Sequence, residues 1–136
     1  FEQRFLEEVL AMSELEQLDL EVYYNGDRAL TEFKIKCYQG NSGSWKYVGM
    51  YTPDFLILKR KDGKIYKAII VETKGAIYAN DPMFREKRFF MEREFVRQNN
   101  AKYQYQRFDY LYLEDSWLEA ERIRMTHEKI CAFFAE

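Results

Sequence analysis

The chain has 136 residues, 47% of them hydrophobic and 18% aromatic, with a formal net charge of −2. That length holds one domain with a core of its own, and the apolar content excludes an intrinsically disordered segment. The slightly acidic balance excludes a nucleic-acid binder held by bulk positive charge, no apolar run is long enough to span a membrane, and two distant cysteines, Cys37 and Cys131, exclude a disulfide scaffold or a zinc site and fit a reduced, cytoplasmic protein.

The chain opens on Phe1 with no signal-peptide pattern, which points to a fragment of a larger protein. Phe1 to about Leu18 reads as a helix with Phe5, Leu6, Val9, Leu10 and Met12 on its inner side. Leu18, Leu20, Val22 and Tyr24 then alternate with polar neighbours, which predicts a strand closed by Asn25-Gly26. Leu30 to Tyr38 alternates again as a half-exposed strand, and Gln39 to Ser44 is the most turn-rich segment, a candidate mobile loop near a substrate. Trp45, Tyr47 and Tyr51 follow. Such rings can stack on bases, but strand packing is their commoner role.

The next stretch carries the chemistry. Phe55-Leu56-Ile57-Leu58 and Ala68-Ile69-Ile70-Val71 read as buried strands, and Lys61-Asp62-Gly63-Lys64 between them is a hairpin turn. Asp54 stands just before the first strand; Glu72 and Lys74 end the second. A two-residue Asp62-Gly63 loop would pair Lys61 with Lys64 and put the two acids on opposite faces. A three-residue loop with Gly63 in a bulge pairs Arg60 with Lys64, sets Asp54 against Ile70, and brings Asp54, Glu72 and Lys74 to one face. The bulged turn is the predicted one. Two carboxylates at the end of a buried hairpin are costly unless something compensates them, and a small set of hard oxygen ligands suits Mg²⁺. The Lys74 ammonium could hold an attacking water and offset charge on phosphorus, so the chemistry pointed to is metal-assisted phosphodiester hydrolysis.

Beyond Gly75, Asn80-Asp81-Pro82 starts a helix of about 14 residues, with Asp81 as cap and Phe84, Met91 and Phe95 in the core. Gln98-Asn99-Asn100 breaks that pattern, and Tyr105 to Leu113 reads as a strand. Ser116 and Glu119 form a capping box for a last helix whose stripe is Ala120, Ile123, His127, Ile130, Cys131 and Phe134. His127, the one histidine, reads as a packing residue, which excludes a histidine-based mechanism.

Charge is unevenly spread. Phe1 to Glu32 holds nine acids against Arg4 and Arg28, whereas Met83 to Arg107 holds seven bases against three acids. Arg85, Lys87, Arg88, Arg93 and Arg97, with Lys102 and Arg107 beyond them, are candidate phosphate contacts; equally, Glu86, Glu92 and Glu94 can pair with them along a solvated helix face. There is no phosphate-binding Gly-rich loop and no serine nucleophile with a base.

Pro53-Asp54 followed by Glu72-Thr73-Lys74 resembles the signature of the PD-(D/E)XK nucleases. Tyr51-x-Pro53-Asp54-Phe55 and Val71-Glu72-Thr73-Lys74-Gly75 are most similar to the nuclease domain at the C-terminal end of type III restriction enzyme Res subunits. The strong likeness spans Tyr51 to Gly75. It implies Asp54 and Glu72 as ligands of Mg²⁺, with Mn²⁺ as a substitute, the Thr73 carbonyl as a further ligand, and Lys74 as the residue that positions water. It also implies a glutamate from the first helix, Glu2 or alternatively Glu7 or Glu8, and a polar residue of the Pro82 helix facing the site, for which Lys87 is the candidate. The partners implied are DNA, a helicase or ATPase motor, a specificity/methyltransferase subunit, and a second copy for double-strand cleavage. The expected architecture is α/β: one domain, residues 1–136, with a mixed, mainly antiparallel sheet flanked by helices, restriction-endonuclease-like.

Overall fold

The computed structural model describes residues 2–12, 14–24, 35–41, 44–51, 54–75 and 80–135. The first helical stretch is divided into α1 (Glu2–Leu10) and α2 (Glu14–Gln17), so the single helix expected to Leu18 breaks after α1. Strand β1 (Leu20–Tyr24) follows; its expected Asn25-Gly26 turn lies outside the described residues. Strands β2 (Ile35–Asn41) and β3 (Ser44–Tyr51) form a separate two-stranded antiparallel ribbon. Most of the expected Gln39 to Ser44 loop is therefore strand, because Gln39 and Gly40 pair with Lys46 and Trp45 and leave only the tip, residues 42–43, outside the described residues.

β4 (Phe55–Lys61) and β5 (Lys64–Lys74) make the central hairpin, and the main sheet runs β1-β4-β5-β6, with β6 spanning Phe108–Glu114. β1 and β4 pair antiparallel, as do β4 and β5, while β5 and β6 are parallel. The sheet is thus mixed and mainly antiparallel, as expected. A parallel neighbour needs a crossover, and here it is helical: α3 (Pro82–Phe90), a π-helical segment Met91–Phe95, and α4 (Val96–Tyr103). The Asp81 carboxylate caps it, accepting from Met83 N at 2.8 Å and Phe84 N at 3.2 Å, with Pro82 in the first turn. The helical stretch outruns the 14 residues expected and passes through Gln98-Asn99-Asn100, ending only where Gln104 turns left-handed at φ 63°. Asn100 does not break the helix because its buried side chain has work elsewhere. Its Oδ1 accepts from Arg107 N and Phe108 N, and its Nδ2 donates to Gln106 Oε1 and Phe108 O, which fastens α4 to the head of β6.

The hairpin corrects the expected turn. Asp62 and Gly63 form a two-residue loop with φ 54° and 78°, the left-handed pair of a type I′ turn, and Lys61 pairs with Lys64. The bulge sits further in: Lys59 pairs with Lys67 and Arg60 with Ile65, so Tyr66 is the extra residue. That one residue restores the parity a two-residue loop would have broken. Phe55 then faces Val71, the last pair of the ladder, and Asp54 just before it accepts from Thr73.

Both faces of the hairpin are covered. Phe55, Ile57, Ile69, Val71, Leu111 and Leu113 pack with Phe5 and Val9 of α1 and with Ile130, Phe133 and Phe134 of α5 (Glu119–Phe134). Ile70, Tyr110 and Tyr112 pack on the other side with Phe84, Phe90 and Met91. α5 departs from its expected stripe: Arg122, Thr126, Ile130, Phe133 and Phe134 are buried, while Ala120, Ile123 and His127 are exposed. Arg122 can be inward because it donates to the carbonyls of Asp115 and Trp117 across the entry to the helix, and Thr126 because its hydroxyl bonds back to Arg122 O at 2.8 Å. The expected Ser116 cap is absent, since Leu118 holds the cap position and Ser116 Oγ donates to Glu114 Oε2.

Candidate active site

β5 is flanked by β4 on one side and β6 on the other, but β4 pairing stops at Phe55–Val71, while β6 pairing continues to Lys74. Among the described residues, residues 72–74 have no ladder partner on the β4 side, where Asp54 stands. Thr73 N–H points that way, donating to Asp54 Oδ2 at 3.0 Å, and Thr73 Oγ1 donates to the same oxygen at 3.0 Å. Within a strand the N–H and C=O of one residue lie on one edge, so the Thr73 carbonyl faces the Asp54 side as well. Lys74 has the alternate direction, its carbonyl accepting from Asp115 N at 3.0 Å beyond β6.

Glu72 and Lys74 share the Ile70 face of β5, and Lys74 Nζ lies 3.2 Å from Glu72 Oε1. The ammonium also sits 4.5 Å from the centre of the Phe84 ring, which α3 supplies. Asp54 is 5% exposed, Glu72 1% and Thr73 5%. Hydrogen bonds from Thr73 and the ammonium of Lys74 compensate part of what burying two carboxylates costs. Glu72 stands beside Tyr112 in the parallel register. Burial, and next the hydrogen bond to Glu114 Oε1 at 2.7 Å, push the Tyr112 hydroxyl above the usual phenol range, with Glu72 adding to the effect. The Tyr112 ring carries the Arg88 guanidinium at 3.5 Å, so α3 brings one cation, Arg88, to the neighbourhood of Glu72.

The expected site residues are placed as follows. At one end of the hairpin Asp54 meets Thr73, and Glu72 meets Lys74. Glu2 lies in α1, but its side chain is outside the described residues; Glu7 is exposed, and Glu8 is directed to Arg122 and Glu119 of α5. Of the candidate phosphate contacts, Arg88 and Arg97 pair with Glu92 and Glu94, each at 2.7 Å, and Arg93 lies over Phe89. Arg85 is exposed and Lys87 half-buried, and among the described residues neither is ion-paired. His127 is an exposed neighbour of Cys131, Nε2 to Sγ 3.7 Å, rather than a core residue. Tyr47 is exposed; Trp45 and Tyr51 lie in β3 with side chains outside the described residues. Tyr112 and Glu114 were not anticipated. Their signal lay in parity: once β6 runs parallel to β5, Tyr112 and Glu114 flank Glu72 and Lys74.

Among the described residues no group of three or more His, Cys, Asp or Glu side chains gathers to hold a metal. Mg²⁺ does not require one, because it keeps several waters and takes one or two carboxylates. Two buried carboxylates and the Thr73 carbonyl at one end of the hairpin are oxygen donors of that kind, so the residue types fit. A groove of about 630 Å³ between β6 and α5, lined by Lys67, Leu111, Met125 and Phe133 among others, lies on the opposite face and includes none of these donors. Comparison of the chain with protein-family models, with curated proteins and with solved structures finds no match.

Proposed function

We propose that the chain is a Mg²⁺-dependent DNA endonuclease domain of restriction-enzyme type that works beside a helicase or ATPase motor in the cytoplasm. The observation that carries this reading is the pairing of Asp54 with Thr73 and of Glu72 with Lys74 at one end of the hairpin, with both acids almost fully buried. Asp54, Glu72 and the Thr73 carbonyl would hold the cation, which when bound supplies Lewis-acid stabilisation of charge on the phosphate. Thr73 fixes Asp54 through two hydrogen bonds to one oxygen, leaving the second oxygen's orientation defined. Lys74 has three N–H donors; one is directed at Glu72, and the others can orient a water for in-line attack or neutralise a phosphate oxygen. The Phe84 ring beneath Lys74 limits where that ammonium can go. Water oxygen bonds to phosphorus and gives up a proton to solvent as the bond to the leaving deoxyribose oxygen breaks, and that oxygen takes a proton from solvent. Arg88, stacked on Tyr112, is the helix residue best placed to meet the phosphate backbone.

The test is nicking of supercoiled plasmid and of single-stranded circular DNA in Mg²⁺, Mn²⁺ and chelator, beside Glu72→Gln and Lys74→Met, each checked for native circular dichroism. The expected result is metal-dependent nicking that falls about 100-fold or more in both folded variants. Undiminished nicking in either variant refutes the assignment. A preference for branched or single-stranded DNA would turn the reading to a structure-selective repair nuclease. A second reading, a non-catalytic nucleic-acid-binding or docking domain, is favoured by one observation: Asp54 is already satisfied twice by Thr73, as a purely structural carboxylate would be. A wild-type chain that binds no metal and cuts nothing selects it.

A further inference from the structure

Several cations of the helices are neutralised: Arg88 by Glu92, Arg97 by Glu94, and Arg124 by Glu121 and Glu128. The far end of the sheet is different. There Lys61 and Lys67 approach the Tyr66 ring at 5.0 and 5.7 Å, and Tyr66 stacks on Tyr105 with centroids 5.1 Å apart and planes 18° from parallel. Tyr105 is locked in turn, its hydroxyl donating to Tyr66 O at 2.7 Å. Alongside, Arg107 lies 4.1 Å and Lys102 5.7 Å from the Tyr103 ring, and Arg107 Nη2 donates to Ile65 O at 3.3 Å, joining the two groups into one surface.

Among the described residues none of Lys61, Lys67, Lys102 and Arg107 has a carboxylate partner, and the acids nearby are engaged by other cations: Glu21 by Arg60, Asp109 by Lys129. Asp62, in the turn, is outnumbered. In a chain of net charge −2 this is a local concentration of positive charge, held side-on against aromatic rings rather than left on free stems. The bulge that sets Phe55 opposite Val71 is made by Tyr66, so the same residue sets the register of the hairpin and forms the platform of this surface.

We infer that the Lys61, Tyr66, Lys102, Tyr103 and Arg107 surface is a second phosphate-backbone contact for DNA, remote from the cutting site. The choice of DNA as the polyanion rests on the nuclease reading. From Tyr66 to Glu72 is six residues along β5, about 20 Å at 3.3 Å per residue. At 3.4 Å per phosphate along a strand, this surface meets the backbone about six base pairs or more from the scissile bond.

The test uses the full 136-residue chain and a fluorescent 24-base-pair duplex, with anisotropy measured in chelator across a salt series. Lys61→Gln with Lys102→Gln removes two charges that make no hydrogen bond to the fold. Arg124→Gln with Lys129→Gln removes two charges elsewhere as the control. The expected result is at least tenfold weaker binding at 0.1 M salt for the first pair, with the salt slope reduced by about 2, and little change for the control. Equal loss in both pairs, or none in the first, overturns the surface. So does lysine-dependent binding of a polyaspartate peptide with no duplex binding, which would assign the patch to an acidic protein segment. Because binding is read in chelator, the two proposals fail separately: lysine-dependent binding without nicking refutes the nuclease alone, and nicking by a chain whose binding ignores these lysines refutes the surface alone.

Discussion

Thr73→Val isolates the bond that orients Asp54. The substitution conserves volume at a residue 5% exposed and removes only the hydroxyl, one of two donors that meet Asp54 Oδ2 at 3.0 Å; the backbone N–H remains. A hydrogen bond to a charged group contributes about 1.5–3 kcal/mol, and a buried carboxylate that loses one keeps its full desolvation cost. With roughly 2.1 cal/mol/K of unfolding entropy per residue over 136 residues, the loss corresponds to a fall in Tm of about 5–10 °C. Thr73→Ser keeps the hydroxyl and gives up a methyl, so it is expected to melt well above Thr73→Val. Thermal melts at pH 7.5 read both. If Thr73→Val melts within 2 °C of the parent, or Thr73→Ser falls further than Thr73→Val, the hydroxyl does not hold Asp54 and the reasoning fails.

Asn100→Ala strands Phe108 N–H and C=O in a buried setting and frees α4 from β6, so urea unfolding should register a loss of at least about 3 kcal/mol; a loss under about 1 kcal/mol refutes the clasp. Glu8 has its carboxyl raised above the usual value, first by burial and then, against the pull of Arg122, by Glu119. A raised acid binds its proton more tightly folded than unfolded, so its contribution falls as pH rises through about 4.5 to the folded pKa and stays lost above. Glu8→Gln should therefore raise Tm at pH 7.5 and leave it unchanged at pH 4; a lower Tm at pH 7.5 would mean that the Arg122 attraction outweighs burial.

The central hairpin was legible because two apolar runs flanking an Asp-Gly turn have few alternatives, and Asp81-Pro82 because a cap followed by proline is a local code. The turn type was misread, yet the parity it implied, with Phe55 on the face of Ile69 and Val71, holds in the ladder. A bulge anywhere between the turn and the acids restores parity, and Tyr66 carries no local mark of being that bulge. α5 was read one stripe out of phase because its buried face opens with Arg122 and Thr126, polar residues that become interior only through bonds to backbone carbonyls. The continuation past Gln98-Asn99-Asn100 was hidden for the same reason: Asn100 depends on partners six to eight residues away in the next element.

The two ends of β5 now have opposite electrostatic characters. At its C-terminal end, ladder pairing on the β4 side stops at Phe55–Val71, and the exposed edge is filled by Asp54 and Thr73 beside an acid and a lysine. At its N-terminal end the bulge turns Tyr66 against Tyr105, and among the described residues the lysines on the rings have no carboxylate partner. One irregularity connects these ends. With a type I′ loop and no bulge, Phe55 would face Ile70 rather than Val71, and Tyr66 would be an ordinary ladder residue. On the proposed reading, a cutting site and a remote DNA contact that both depend on one inserted residue would have little freedom to change separately, so both would rest on the bulge at Tyr66.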